Sequence, residues 1–151
     1  MKVSTRARYA VRALFIILKE GGYKPVKLEK IAKEQKISLS YLEQLFNKLK
    51  NHRIVVSVKG PHGGYRLAEK PENITLAKIF EATGEKIMVA DCFERKCRLS
   101  KNCVSRPVWK KLQSVIADYL NSVSLKTIAE MNNLKIKEEK SSVPHNYSYF
   151  I

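Results

Sequence analysis

Three cysteines lie close together in the segment DCFERKCRLSKNC, and they are the residues of the chain best suited to metal or redox chemistry. Thiolates are soft ligands that suit zinc or an iron–sulfur cluster. Four basic side chains lie between the cysteines and favour the thiolate over the thiol. The candidate metal ligands are Cys92, Cys97 and Cys103, and the basic residues are Arg95, Lys96, Arg98 and Lys101.

The spacing of the cysteines limits the kinds of site that they could form. Four and then five residues separate them, whereas structural zinc sites and dithiol redox motifs commonly have two. The histidines His52, His62 and His145 are distant in sequence, so a zinc site is the least favoured of these. An iron–sulfur cluster, a thiol sensor without a cluster, and a loop whose cysteines have no function all remain open at this point.

A predicted helix that begins near Ser38 carries polar residues suited to reading DNA. Its leucines and Phe46 recur at helical spacing and define an inward face, so the polar residues face outward. Gln can pair with adenine, Glu can accept a hydrogen bond from cytosine, and Ser and Tyr can reach phosphates or bases. A solvated helix face would show similar residues. The candidate DNA-contacting residues are Ser38, Ser40, Tyr41, Glu43 and Gln44.

The segment KGPHGGYRLA (residues 59–68) follows this helix and reads as a glycine-rich hairpin. Glycines permit tight turns and the close approach of another surface. A narrow minor groove attracts basic side chains. A purely structural turn explains the glycines but not the basic flanks. The candidate DNA-contacting residues of the hairpin are Lys59, Gly60, His62, Gly63 and Gly64, with Arg66 just beyond them.

The predicted elements follow the order of a winged helix-turn-helix domain with a long helix after it. Two helices joined by a short link form the helix-turn-helix, and a β-hairpin directly after them is a wing. We therefore predict a mainly α fold with a small β-hairpin wing. The predicted helices cover residues 4–19, 28–35, 38–49, 76–82 (capped by Asn73 or Thr75 and ended by Gly84) and 125–131, with a longer one from Ser105 and Pro107; the predicted strands cover residues 54–58 and 65–67.

The chain divides into four predicted segments. Residues 1–84 form the DNA-binding domain, 85–104 an irregular cysteine-bearing sensory loop, 105–131 a dimerisation helix region, and 132–151 a polar tail expected to be disordered. The long helix carries one apolar stripe, part of which must pack in the core. We expect the stripe also to form a dimer interface. It consists of Val108, Leu112, Val115, Ile116, Tyr119, Leu120 and Val123.

The charge of the chain points to a polyanionic partner. The net charge is +15, and the first 66 residues hold 15 Lys and Arg against 4 Asp and Glu. Nucleic acid and an acidic membrane surface are the usual partners for such an excess. No secretory signal or membrane-spanning run is visible, and an odd number of clustered cysteines suits a reducing cytoplasm. The sequence shows no phosphate-binding glycine loop and no acid/base pair, which argues against an enzyme.

Residues 1–131 resemble the IscR/NsrR/CymR family of winged-helix regulators. The resemblance rests on STRARYAVRAL, ISLSYLEQLFNKLK, KGPHGGYRLA, and the cysteine loop before a Trp-containing helix. It implies a homodimer that binds an imperfect palindrome in double-stranded DNA, with Ser40, Glu43 and Gln44 at the base edges and the wing in the minor groove. It also implies that the three cysteines hold a 2Fe–2S or 4Fe–4S iron–sulfur cluster.

The cysteine loop departs from the family pattern in two respects. The related pattern has five residues between the first two cysteines, where this chain has four. Arg106 stands where one branch has a ligating histidine, and Arg8 where another has a ligating aspartate. The fourth ligand is therefore undefined: Asp91, Glu94, a residue of a partner subunit and an exogenous ligand are all candidates.

These observations together predict a dimeric, repressor-type transcriptional regulator that senses an iron–sulfur cluster. By resemblance, its targets would be genes for cluster assembly or related stress responses. The first alternative is a cluster-free regulator of sulfur metabolism similar to CymR, acting through thiols or a protein partner. A thiol oxidoreductase using Cys92 and Cys97 and a pure protein-interaction module are less favoured.

Overall fold

The computed structural model describes residues 2–93, 97–98 and 101–133. These residues form six α-helices and one two-stranded hairpin. Helices α1 (Thr5–Lys19), α2 (Leu28–Gln35) and α3 (Leu39–Asn51) come first, followed by strands β1 (Val55–Val58) and β2 (Gly64–Leu67). Helices α4 (Leu76–Thr83), α5 (Arg106–Ser122) and α6 (Leu125–Met131) complete the order. The predicted fold class, mainly α with a β-hairpin wing, is confirmed.

Capping side chains mark the starts of helices α1 and α3. The Ser4 Oγ accepts a hydrogen bond from the Ala7 N–H at the start of α1, and the Ser38 Oγ accepts one from the Tyr41 N–H at the start of α3. Between α2 and α3, Lys36 adopts the left-handed conformation, with φ 53°. The chain therefore turns within three residues, 36–38, and sets α3 against α2.

The wing is joined to the body by backbone hydrogen bonds. Strands β1 and β2 are antiparallel, with Val55 opposite Leu67 and Val58 opposite Gly64. Tyr65 also exchanges two backbone hydrogen bonds with Val26, at 2.8 and 2.9 Å. These two hydrogen bonds fix the base of the hairpin to the loop between α1 and α2.

The core lies where α1, α3 and α4 meet the base of the wing. Its largest fully buried side chains include Leu14, Leu42, Phe46 and Ile79, and α6 contributes Leu125. Helix α6 is joined to the start of α4 by the hydrogen bonds Leu76 N–H to Val123 O (2.8 Å) and Leu125 N–H to Ile74 O (2.9 Å). Helix α6 therefore packs into the same core as α1, α3 and α4.

Other details of the structure refine the predictions. Thr75, rather than Asn73, caps α4, and Gly84 ends that helix in the left-handed conformation. The loop after α4 contains one short 3₁₀ turn at Asp91–Phe93 and is otherwise irregular over its described residues. The predicted disordered tail falls almost wholly outside the described residues. Within the described part of the chain, no helix has the length and apolar character needed to cross a membrane.

Candidate nucleic-acid interface and cysteine loop

The outward face of α3 presents the polar residues that the sequence predicted. The side chains of Ser38, Ser40, Glu43 and Gln44 are exposed, while Leu42, Leu45, Phe46 and Leu49 on the opposite face are buried. Burial of that apolar face fixes the helix, so the polar residues are held on a rigid element. A helix that enters the major groove reads bases with its N-terminal residues, and these four residues occupy the first turns of α3 and its N-cap.

Tyr41 connects α3 to α1. Its ring is half-buried and meets the Tyr9 ring edge-on, with centroids 5.9 Å apart. The Arg12 guanidinium lies 5.5 Å from the Tyr9 ring centroid and also donates a hydrogen bond to Gln35 of α2. Tyr41 therefore has a packing role, and only its exposed part is available to DNA.

A surface cavity of about 330 Å³ lies between the start of α1 and the face of α3. Two cations, Arg6 and Lys48, line it together with Tyr41, Gln44 and Leu45. Lys48 is exposed on α3 and Arg6 on α1, and neither is among the DNA-contacting residues predicted from the sequence. No local signal points to Arg6, because only the packing of α1 beside α3 brings it there. Basic side chains next to a reading helix are suited to contact phosphates.

The tip of the wing is exposed and basic, and the packing requires glycine at two of its positions, 63 and 64. Lys59, Gly60 and His62 are exposed. A Cβ on Gly63 would lie 2.2 Å from the Val58 carbonyl oxygen, and one on Gly64 would lie 2.4 Å from that of Val26. Gly64 also has a φ of +147°, which side chains rarely adopt. Gly63 and Gly64 are therefore needed for the shape of the wing. Of the wing residues predicted to contact DNA, Lys59 and His62 are the two with exposed polar side chains.

The three cysteines are half-buried and free of disulfide bonds. Cys92 lies in the 3₁₀ turn Asp91–Phe93, and Cys103 lies just before α5. The Cys103 Sγ is 3.4 Å from the Ser105 Oγ. This contact, with backbone N–H groups of Ser105 and Arg106, lowers the pKa of the Cys103 thiol below its ordinary value, because hydrogen bonds to the charged form favour it.

The described residues contain no group of three His, Cys, Asp or Glu side chains close enough to hold a metal ion. The predicted ligands Cys92, Cys97 and Cys103 are therefore on one loop but are not brought together in this arrangement. Of the candidate fourth ligands, Asp91 is exposed, and Glu94 lies outside the described residues. In the described part of the chain, no buried side-chain oxygen or nitrogen lacks a hydrogen-bond partner.

The two arginines at the family's ligand positions have other contacts. Arg8 is exposed on α1 and donates a hydrogen bond to the Thr5 Oγ1 at 3.2 Å. The guanidinium of Arg106 lies 5.6 Å from the ring centroid of Phe93, next to Cys92. Neither side chain is placed as a metal ligand, and a positively charged guanidinium is not a suitable one.

Comparisons with known proteins show that the chain is similar to transcriptional regulators. A family model described as "Rrf2: Iron-dependent Transcriptional regulator" matches residues 3–131. The chain is 35% identical over 144 residues to the HTH-type transcriptional regulator IscR of Aliivibrio salmonicida, which covers 95% of this chain and 86% of that protein. It is 39% identical over 136 residues to a putative HTH-type transcriptional regulator of Haemophilus influenzae, covering 89% and 91% of the two chains.

Solved structures show the same likeness. The structure of CymR, the global cysteine regulator of B. subtilis, has a TM-score of 0.74 and 30% identity, covering 87% of this chain and 98% of that one. The structure of T. potens IscR has a TM-score of 0.71 and 31% identity, covering 94% of each chain. The curated relatives are named transcriptional regulators, not enzymes. The chain therefore belongs to the Rrf2 family of transcriptional regulators.

Proposed function

We propose that this protein is a DNA-binding repressor that acts as a homodimer on an imperfect palindrome. The observation that carries the proposal is the exposed polar face at the start of α3, with an exposed basic wing directly after that helix. We assign base contacts to Ser40, Glu43 and Gln44, and minor-groove contacts to Lys59 and His62 of the wing. Cytoplasmic location follows from this role.

Dimerisation is supported by an apolar row on the outside of α5. Val108, Leu112, Val115 and Tyr119 recur every three or four residues and are 41–58% exposed. A monomer would leave this row in water, whereas a second copy of α5 would cover it. A dimer also supplies the two reading helices that a palindrome requires.

The cysteine loop is the proposed sensory element, and an iron–sulfur cluster is its proposed ligand. The donor chemistry fits, because three thiols lie on one loop rich in basic residues, and IscR proteins are among the relatives. The cysteines do not form a complete metal site in this structure, since no three possible ligands lie close together among the described residues. Binding would therefore require the loop to rearrange. When bound, a cluster would supply a redox-sensitive charged centre between the DNA-binding domain and α5.

A cluster-free regulator is the second candidate. The dispersed cysteines and the likeness to the CymR structure favour it. In that case, the thiols or a protein partner would carry the signal, and DNA binding would not depend on metal. Control of cluster-assembly genes belongs to the first candidate, and control of cysteine or sulfur metabolism to the second.

The experiment that separates the candidates combines two measurements on protein purified without oxygen. The first is a visible spectrum with iron and sulfide analysis of the wild type and of Cys92→Ser, Cys97→Ser and Cys103→Ser. The second is operator selection followed by a mobility-shift titration at several salt concentrations. Visible absorption that any one serine substitution abolishes would establish the cluster. Colourless wild-type protein that binds one palindrome tightly would favour the second candidate, and absence of sequence-selective binding would refute both.

A further inference from the structure

A second cavity lies on the opposite side of α5 from the apolar row. Its volume is about 400 Å³, and one face of α5 and the 3₁₀ turn of the cysteine loop form its walls. Arg106 lines the cavity and Val108 belongs to the apolar row, and the two residues are about 200° apart around the helix. A ligand in the cavity and a second copy of the chain on the row would therefore use different surfaces of α5. The lining residues are Phe93, Arg106, Lys110, Gln113, Ser114 and Ala117.

Among the described residues that line this cavity, the only charged side chains are two cations. Arg106 and Lys110 are one helical turn apart on the same face, and neither forms an ion pair with another described residue. They also lie in the first two turns of a 17-residue helix, where the helix dipole adds positive potential. Asp118, the one acidic residue of α5, already accepts a hydrogen bond from the Ser114 Oγ at 3.4 Å.

The remaining walls add an apolar surface and neutral polar groups. The Phe93 ring faces the Arg106 guanidinium at 5.6 Å, an arrangement that holds the guanidinium at the cavity. The Gln113 Oε1 accepts a hydrogen bond from the Val89 N–H at 3.5 Å, and its amide NH₂, which has no partner among the described residues, can donate to a ligand acceptor. The cavity is within the size range of small-molecule sites, which are concave and combine apolar walls with a few polar groups.

We propose that this cavity binds a small organic anion, with a carboxylate or phosphate monoester group at Arg106 and Lys110 and an apolar part against Phe93. A guanidinium binds carboxylate and phosphate groups in a bidentate manner, and Lys110 supplies a point charge. The ligand would bridge α5 and the loop that carries Cys92. The proposal concerns binding to the free protein and does not depend on DNA recognition.

The test uses the full-length protein without DNA. Phenyl phosphate and benzoate are the anionic probes, benzamide is the neutral analogue, and inorganic phosphate lacks the apolar part. Trp109, the single tryptophan of the chain, lies on α5 beside the cavity residues and reports binding by fluorescence; calorimetry confirms the stoichiometry. We expect saturable binding of at least one anionic probe, at about one per chain and tighter than benzamide or inorganic phosphate.

Charge-matched variants decide whether the cavity is the site. Arg106→Gln and Lys110→Gln should each weaken binding about tenfold, the usual effect of losing one charged hydrogen bond. Lys111→Gln removes the same charge from the same helix outside the cavity and should leave binding unchanged. The proposal is overturned if neither anionic probe saturates by about 10 mM, if benzamide binds equally well, or if Lys111→Gln weakens binding as much as Lys110→Gln. Amide shifts of Val89 and Ser114 on titration provide a readout that needs no variant.

Discussion

The Arg6 guanidinium donates a hydrogen bond to the backbone carbonyl oxygen of Thr83 at 3.1 Å, although 77 residues separate the two in sequence. Thr83 is the last residue of α4, and Gly84 separates it from the cysteine loop. A second hydrogen bond, from the Ser4 N–H to the Glu85 Oε1 at 3.1 Å, lies beside the first. The start of α1, which lies beside α3, is therefore tied to the segment that leads into the cysteine loop.

The Arg6 contact predicts an unequal effect of two neighbouring substitutions. Arg6→Gln removes a charged donor from a helix C-terminus and should lower the free energy of unfolding by about 1 kcal/mol. Arg8→Gln should change it by less than about 0.5 kcal/mol, because among the described residues the exposed Arg8 side chain has one hydrogen-bond partner, the Thr5 hydroxyl. Urea unfolding followed by circular dichroism gives both values. Equal effects of the two variants would show that the contact with Thr83 does not stabilise the fold.

Alanine substitutions at two wing glycines should differ in their effect on stability, because one adds only backbone strain and the other also adds a steric clash. Gly60 and Gly64 both have positive φ, but a Cβ on Gly60 meets nothing within 4 Å, whereas one on Gly64 lies 2.4 Å from the Val26 oxygen. Gly60→Ala should therefore cost about 1 kcal/mol, and Gly64→Ala about 2 kcal/mol or more. The measurement is thermal or urea unfolding without DNA. Comparable stability of the two variants would mean that the wing shifts easily away from Val26.

The cavity between α1 and α3 predicts two kinds of DNA-binding defect. Lys48→Gln should weaken binding similarly for all sequences and reduce the slope of log affinity against log salt by about 1. Gln44→Ala should instead relax the preference at one base position of each half-site, at a cost of about 1–3 kcal/mol for the preferred base. Both follow from mobility-shift titrations against the selected operator and its single-base variants.

Lys126→Gln is the matched control for the salt effect, because Lys126 is an exposed lysine on α6, outside the proposed interface. It should keep the wild-type slope. A slope that falls equally in Lys126→Gln and Lys48→Gln would indicate a general charge effect and would remove Lys48 from the interface.

The local elements were predictable from the sequence because caps and periodicity are local signals. The bounds predicted for α2 and α6 agree with the structure, and the β-branched run and the Gly-Gly turn correctly indicated the hairpin. The contact between Arg6 and Thr83 was not predictable, because it joins residues that no sequence pattern relates. The exposed face of α3 was predicted, but its neighbouring cation Arg6 was not, for the same reason.

The apolar stripe of α5 shows a second limit of periodicity. The sequence presents one continuous stripe, but the structure divides it into an inner and an outer part. Leu120 and Val123 are buried and Ile116 is half-buried against the domain, while the row at Val108, Leu112, Val115 and Tyr119 stays exposed. Periodicity locates apolar residues on a helix but does not determine which neighbour covers each of them.

The pKa of Cys103 predicts a measurable thiol reactivity. Hydrogen bonds from Ser105 lower this pKa, so in metal-free protein near neutral pH a larger fraction of Cys103 is thiolate than for an ordinary thiol. Ser105→Ala removes the largest of these contributions and should slow alkylation of Cys103 by iodoacetamide at pH 7, with the difference shrinking as the pH rises above both pKa values. Mass spectrometry of the modified peptide gives the rate. Unchanged alkylation across the pH range would show that Ser105 does not affect the thiolate.

The outer row of α5 predicts the oligomeric state. Leu112 lies in the middle of the row and is 41% exposed, so Leu112→Asp should leave the monomer fold intact. In a dimer, the same substitution would bury an unpaired carboxylate and remove about 1 kcal/mol of apolar burial from each copy. We therefore expect Leu112→Asp to be monomeric at concentrations where the wild type sediments as a dimer, and to lose affinity for a palindrome far more than for a single half-site.

Lys111→Asp provides the control, because it places the same carboxylate one residue away, outside the row. It should remain dimeric and differ from the wild type mainly in salt-dependent DNA affinity. Sedimentation velocity on both variants, with circular dichroism to confirm folding, measures the difference. A dimeric Leu112→Asp variant would place the interface elsewhere on the molecule. Two monomeric variants would instead indicate that added negative charge on α5, rather than loss of the apolar row, separates the subunits.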